Sequence, residues 1–149
     1  MLVLDCTLRD GGYYNSWNFP QRVVEQYLQA MDAANVDVVE LGMRSLKNEG
    51  FKGAAGFTTD EYLDTLPLPS SLKVGVMVNA SELVSASSLE EALTSLFPKN
   101  AKESKVDLVR IACHVHEFEQ ALPSCKWLKE RGFSVGFNLM QVAERSQTE

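Results

Sequence analysis

The sequence predicts an α/β protein built on parallel strands, and two observations carry that prediction. Five short apolar runs recur at Leu2 to Leu4, Val36 to Leu41, Val74 to Val78, Val106 to Ala112 and Phe133 to Leu139, each separated from the next by a helix-like or loop segment. Nearly continuous Val/Ile/Leu strands need cover on both faces, which parallel strands receive from intervening helices in an open sheet or a barrel. The polar residues are also unevenly placed. Arg9 and Asp10, Glu40 and Arg44, Asn79, His114 and His116, and Asn138 come late in, or just after, their strands, whereas the strand starts are bland. A ligand site at the carboxyl ends of parallel strands produces that asymmetry.

The first run leads into Leu4-Asp5-Cys6-Thr7-Leu8-Arg9-Asp10-Gly11-Gly12, read here as a strand that ends in an adjacent Arg and Asp on a glycine turn. Asp5, Thr7 and Arg9 at period two are too polar for a core strand unless they are paired or used on a ligand, so Arg9 and Asp10 are taken as site residues. Pro20 fits the first turn of a helix in which Val23, Val24, Tyr27, Leu28, Met31 and Ala34 keep one apolar face, with Asn35 as its stop. A second helix is expected over Thr59 to Leu66, ended by Pro67 and Pro69. A third lies within Ser81 to Phe97 and is broken in two by a capping box at Ser88 and Glu91. A fourth lies within Glu117 to Arg131 and stops at Gly132, with Pro123 implying that its regular part begins late. Alternation puts Val38, Glu40 and Gly42 on one side of strand two, and Leu108, Arg110, Ala112 and His114 on one side of strand four. In a barrel these two strands feed one interior layer, where Glu40 and Arg110 would form a buried ion pair.

Composition bounds the function classes. With 149 residues, 45% hydrophobic and 23% charged, the chain can bury one domain's core. A net charge of −6 without a basic run argues against nucleic acid as a partner. Cys6, Cys113 and Cys125 are an odd count without CxxC spacing, and they read as reduced, buried thiols rather than a disulfide framework. No apolar run approaches the ~20 residues of a membrane span. The first strand begins at Leu2 and leaves no room for a leader, so the expectation is a cytoplasmic protein without a membrane partner. Gly50, Gly53 and Gly56, with Lys47 and Lys52 nearby, mark a loop after strand two that reads as a connector or as a lid over an anionic substrate. Phosphate-loop patterns are absent from the sequence.

Asp5-x-Thr7-Leu8-Arg9-Asp10-Gly11 resembles the opening signature of the DRE-TIM metallolyase superfamily, which includes HMG-CoA lyase, 4-hydroxy-2-oxovalerate aldolase and isopropylmalate synthase. Val39-Glu40-Leu41-Gly42 and Val109-Arg110-Ile111-Ala112-Cys113-His114 extend the likeness over most of the chain, nearest in flavour to the pyruvate-forming aldolases. The resemblance implies a (β/α)₈ TIM barrel with a divalent metal at the carboxyl ends of its strands, Asp10 as a metal ligand and Arg9 as the cation that steadies an enolate. Such chemistry needs a preorganised cation and a Lewis acid where negative charge develops. Mn²⁺ or Mg²⁺ suits oxygen ligands, and additional His would permit Zn²⁺.

Two departures qualify the transfer. Where the aldolases carry a His base after the Arg-Asp-Gly segment, this chain has Tyr13, whose ordinary pKa near 10 would need lowering by the metal or Arg9 for it to serve as acid or base. A complete barrel takes about 250 residues, so residues 1–149 are expected to be the amino-terminal part of the catalytic domain, apparently truncated after strand five of eight. The resemblance places the metal-binding His-x-His on a strand beyond Glu149, and the chain alone is expected to be inactive. His114-Val115-His116 has metal-ligand spacing but lies on a different strand and runs into a helix; His114 is read as lining the pocket, and His116 as capping or facing solvent.

Glu40 is assigned to holding Arg9, Arg110 or substrate, and Glu40, His114 and Asn138 complete the expected pocket. The expected substrate is a 2-oxo acid or a hydroxy-oxo acid, and the expected reaction cleaves or forms a carbon–carbon bond beside the 2-oxo acid carbonyl. The alternatives are an acyl-CoA condensing synthase of the same superfamily, or a non-catalytic assembly or regulatory domain. Exposed edges at strands one and five lead to an expected homo-oligomer, or to association with the missing carboxyl-terminal part.

Overall fold

Five parallel strands pair in chain order, β1 to β5, and helices follow them on one side. The computed structural model describes residues 1–47, 50–144 and 146. The strands are β1 (Leu4–Asp5), β2 (Val38–Met43), β3 (Lys73–Asn79), β4 (Val106–Cys113) and β5 (Ser134–Leu139). The helices are α1 (Thr7–Asn15), α2 (Gln21–Ala33), α3 (Asp60–Asp64), α4 (Ala80–Val84), α5 (Leu89–Leu96) and α6 (Phe118–Glu130). Sequential parallel pairing with helical crossovers curls the sheet into part of a barrel, the predicted fold class. Residues 48–49, inside the loop read as lid or connector, lie outside the described residues.

The outer face of the sheet holds the main core. Val39, Leu41, Val74, Val76, Val78, Val109, Ile111 and Cys113 alternate along β2, β3 and β4 and pack with Val24 and Leu28 of α2, Leu83 of α4, Leu93 of α5 and Leu128 of α6. The inner face carries a smaller apolar cluster of Met43, Met77 and Ala112, against which Trp17 and Met140 pack.

Three expectations are corrected. The opening motif is not a strand: β1 ends at Asp5 and Thr7–Asn15 is helical. Asp5 brings this about, because its carboxylate accepts the Thr7 N–H at 2.9 Å and the Thr7 hydroxyl at 3.1 Å, meeting a donor that a helix start leaves open. Gly42 does not share a side with Glu40. The β2–β3 register slips between them, with Glu40 opposite Gly75 and Gly42 opposite Val76. This bulge turns Gly42 outward and Met43 inward beside Met77. Pro123 does not delay the last helix, which begins at Phe118 and contains it.

Other readings agree with the structure. Asn35 follows α2 in the left-handed region (φ 55°), the third segment splits into α4 and α5, and Ser88 accepts the Glu91 N–H at 3.3 Å. All three cysteines are free, but only Cys113 is buried; Cys6 and Cys125 are half-buried.

Gly42 has a second constraint, since a Cβ there would lie 1.8 Å from the Ala55 carbonyl oxygen. Gly42→Ala is therefore expected to destabilise the protein by about 1–3 kcal/mol, the usual cost of overpacking a tight site. Urea unfolding measures this, and an unchanged midpoint contradicts the close approach.

Candidate active site

A continuous line of charge crosses the inner face of the sheet. Glu40 of β2 has no exposed surface. Its Oε1 accepts from Arg9 Nε of α1 at 2.7 Å, and both its oxygens accept from Arg110 Nη1 of β4, at 3.3 and 3.2 Å. Arg110 Nη2 donates to Asn138 Oδ1 of β5 at 3.1 Å, and Arg9 Nη1 pairs with the neighbouring Asp10 carboxylate. Four elements are thereby joined through one buried carboxylate. A buried carboxylate is tolerable only when partners replace its water, and two guanidinium groups do so here. Of the three partners considered for Glu40, both Arg9 and Arg110 are engaged, and the predicted Glu40–Arg110 pair is present. Burial works against the charge on Arg9, but the bond and charge of Glu40 and the charge of Asp10 outweigh it and hold the guanidinium above its ordinary value.

Helix α1 delivers Arg9, and three contacts fix that helix. Asp5 also accepts from the Tyr27 hydroxyl of α2 at 2.6 Å, so one carboxylate anchors both helices at the end of β1. Burial pushes the Asp5 carboxyl up, but hydrogen bonds from Tyr27 and Thr7 more than offset it and leave Asp5 below its ordinary range. Burial and the bond to Asp5 both push the Tyr27 phenol upward. At the other end, Ser16 and Trp17 both take positive φ (56° and 57°). This turn returns the indole to α1, where Nε1 donates to the Arg9 carbonyl at 3.0 Å. Gly12 makes room for it, since a Cβ there would lie 2.0 Å from the indole ring.

The remaining predicted residues are more dispersed. Asp10 is largely exposed (59% of its side chain), and Cys6 Sγ donates to it at 3.4 Å. Tyr13 lies one helical turn after Arg9, on the same face of α1; it is 63% exposed and set edge-on to Trp17, with centroids 4.8 Å apart. His114 is half-buried at the end of β4, where its backbone N–H donates to Glu117 Oε2 at 2.9 Å. Its ring stacks on that of His116, which is largely exposed. No three His, Cys, Asp or Glu residues converge as a metal-binding group among the described residues. The exposed Asp10 carboxylate offers one oxygen donor of the kind a divalent ion takes.

Trp17 was missed in the sequence. A lone tryptophan in a predicted loop carries no periodic signal, although the glycine pair at Gly11-Gly12 marks a place where something approaches the backbone closely.

A solved structure of the amino-terminal domain of a proposed aldolase from Bacteroides vulgatus superposes with a TM-score of 0.85 at 33% identity, covering 99% of this chain and 48% of the other. The chain resembles the aldolases of the DRE-TIM superfamily. The 4-hydroxy-2-oxovalerate aldolase of Pelotomaculum thermopropionicum is 30% identical over 142 residues, which are 93% of this chain and 39% of the relative. The oxaloacetate decarboxylase of Mycobacterium tuberculosis is 22% identical over 142 residues, 94% and 39% of the respective lengths. This aldolase-like chain thus spans about two fifths of the curated relatives it matches. No family model matches it. No described helix is long and apolar enough to cross a membrane.

The depressed Asp5 carboxyl gives a pH prediction. Such a group adds stability above its unfolded pKa, and that stability is lost as pH falls through the folded value. Tyr27→Phe removes a bond to this carboxylate and is expected to cost about 1.5–3 kcal/mol at neutral pH. The deficit narrows in acid once Asp5 is protonated. Urea unfolding at both pH values tests this, and a deficit independent of pH would show that Tyr27 acts by packing alone.

Proposed function

We propose that residues 1–149 form the amino-terminal part of the catalytic domain of a metal-dependent aldolase that cleaves or forms a carbon–carbon bond beside the carbonyl of a 2-oxo acid. The observation that carries this reading is the buried Arg9 guanidinium. It is held from behind by Glu40, beside the exposed Asp10 carboxylate, on the inner face of a parallel sheet. A cation fixed before reaction is what an enolate oxygen requires, because no reorganisation is needed as charge develops. Arg9 steadies that oxygen. Glu40 is taken up by two guanidinium groups and orients Arg9 rather than meeting substrate, while Arg110 and Asn138 present polar groups beside it.

The two curated relatives point to one intermediate. Retro-aldol cleavage of a 4-hydroxy-2-oxo acid breaks the C3–C4 bond, releasing an aldehyde and the enolate of pyruvate. Loss of CO₂ from oxaloacetate breaks the corresponding bond and leaves the same enolate. Tyr13, one turn from Arg9, would shuttle a proton at the reacting atoms in either case. Cleavage also requires a base for the 4-hydroxyl proton and decarboxylation does not; the likeness to the oxaloacetate decarboxylase makes decarboxylation the second reading. A divalent ion, held by Asp10 with ligands from outside these residues, would supply Lewis acidity to the 2-oxo group.

The open edges of β1 and β5 are where further βα units, or a second copy, would complete the enclosure. We extend the proposal to that association, and to inactivity of residues 1–149 alone.

The test uses the complete protein with Mn²⁺ or Mg²⁺, measuring pyruvate release from 4-hydroxy-2-oxopentanoate and from oxaloacetate. Arg9→Lys keeps a charge beside Glu40 but loses the planar fork, and kcat is expected to fall about 10²–10³-fold. Unchanged turnover excludes Arg9 as the enolate's cation. Consumption of acyl-CoA without pyruvate release would replace the aldolase reading with a condensing synthase.

A further inference from the structure

The loop that follows β2 presses on the turn that carries Trp17. Gly53 N–H donates to the Ser16 carbonyl at 2.8 Å, and a Cβ on Gly53 would lie 2.3 Å from the Trp17 carbonyl oxygen and 2.4 Å from Asn18 Cα. Only glycine permits that approach. One 3₁₀ turn follows, Ala54–Gly56, and its other side meets β2, where the Ala55 carbonyl oxygen fills the space a Cβ on Gly42 would take. The Thr58 hydroxyl donates to the same oxygen at 3.0 Å, and the buried Arg44 holds the Thr58 carbonyl through Nε at 3.0 Å. Gly53, Ala55, Gly56 and Thr58 are all buried. Residues 53–58 are thus a wedge between β2 and the Ser16–Trp17 turn, not the exposed backbone of a lid or a loose connector.

The contacts close a circuit around one side chain. From the sheet, Met43 and Met77 pack against Trp17; from the loop, Gly53 bears on its backbone; and its Nε1 donates to the Arg9 carbonyl at 3.0 Å. An alanine at position 53 has to push the turn back by about 1 Å, and a misplacement of that size, made far from the chemistry, costs up to ~10²-fold in rate. We propose that Gly53 is a positioning residue for Arg9. The wedge sets the turn, the turn sets the indole, and the indole sets the backbone from which the Arg9 guanidinium reaches Glu40. The catalytic consequence of this coupling rests on the aldolase reading; the coupling itself does not.

Nitrogen-15 NMR of the Arg9 Nε–H in the complete protein, assigned by its loss in Arg9→Lys, reads the Arg9–Glu40 bond whatever the reaction. Exchange of that proton with solvent is expected to quicken at least tenfold in Gly53→Ala. The same is expected in Trp17→Phe, which keeps a ring against Met43 and Met77 but loses the donor. Thr58→Val frees the Ala55 carbonyl without adding bulk, and about a threefold rise is expected there. Combining Gly53→Ala with Trp17→Phe should give no faster exchange than the faster of the two alone, because both act along one chain of contacts. Leu128→Ala, in the core on the outer face of the sheet, should change the rate less than twofold, which separates positioning from lost stability. Unchanged exchange in Trp17→Phe, or in both Gly53→Ala and Thr58→Val, overturns the proposal. So do effects that multiply in the double variant, or an equal rise in Leu128→Ala. Oxalate affinity, measured on the same variants, is expected to weaken in step with the exchange. Quickened exchange with unchanged oxalate affinity would uphold the positioning and remove Arg9 as the enolate's cation.

Discussion

One carboxylate organises the inner face of this sheet. Glu40 is fully buried and clasped by two guanidinium groups, from α1 and from β4. Desolvating an isolated carboxylate costs many kcal/mol, so the fold is stable with Glu40 in place only if Arg9 and Arg110 both reach it. That requirement ties the start of the chain to β2 and β2 to β4, two strands away, across the span where β3 places Gly75 opposite Glu40. The same pairing decides what Arg9 can do. A guanidinium held through Nε by a buried partner has lost its rotamer freedom before any ligand arrives.

Arg9 is also fixed through its own backbone. Asp5 starts α1 immediately after β1, and the indole of Trp17 closes its far end on the Arg9 carbonyl. Gly12 and the left-handed pair Ser16 and Trp17 are the local conditions for that closure. Position and orientation of one side chain thus rest on three short-range features of the first 17 residues and one long-range ion pair. Asp10, next in the chain and largely exposed, pairs with Arg9 and accepts from the Cys6 thiol at the open side.

Strands β2 to β5 were legible because aliphatic runs of five to seven residues bounded by turn residues have few other readings, and alternation along β2 and β4 put Glu40 and Arg110 on one face, whereas β1 overlaps its three-residue run only at Leu4. The helix at Thr7–Asn15 was not legible. Its polar residues alternate as on a strand, and Gly11-Gly12 argues against a helix by propensity, which tertiary contacts from Trp17 and Glu40 override. The bulge at Leu41 was invisible for a different reason: an extra residue in one strand leaves composition and periodicity nearly unchanged, yet it reverses every side chain beyond it. Pro123 misled in the other direction, because a helix packed against a sheet tolerates one missing N–H. The buried Arg44–Asp60 pair, sixteen positions apart in a loop region, had no pattern to announce it.

The central claim is that Arg9 is oriented in advance to receive an enolate oxygen. Oxalate, a planar mimic of the pyruvate enolate, tests it most directly in a crystal structure of the complete protein. The account predicts an oxalate oxygen within hydrogen-bonding distance of the Arg9 guanidinium, with the Arg9–Glu40 contact unchanged from the 2.7 Å seen without ligand. Oxalate bound elsewhere, or Arg9 leaving Glu40 to reach it, would contradict a preformed site.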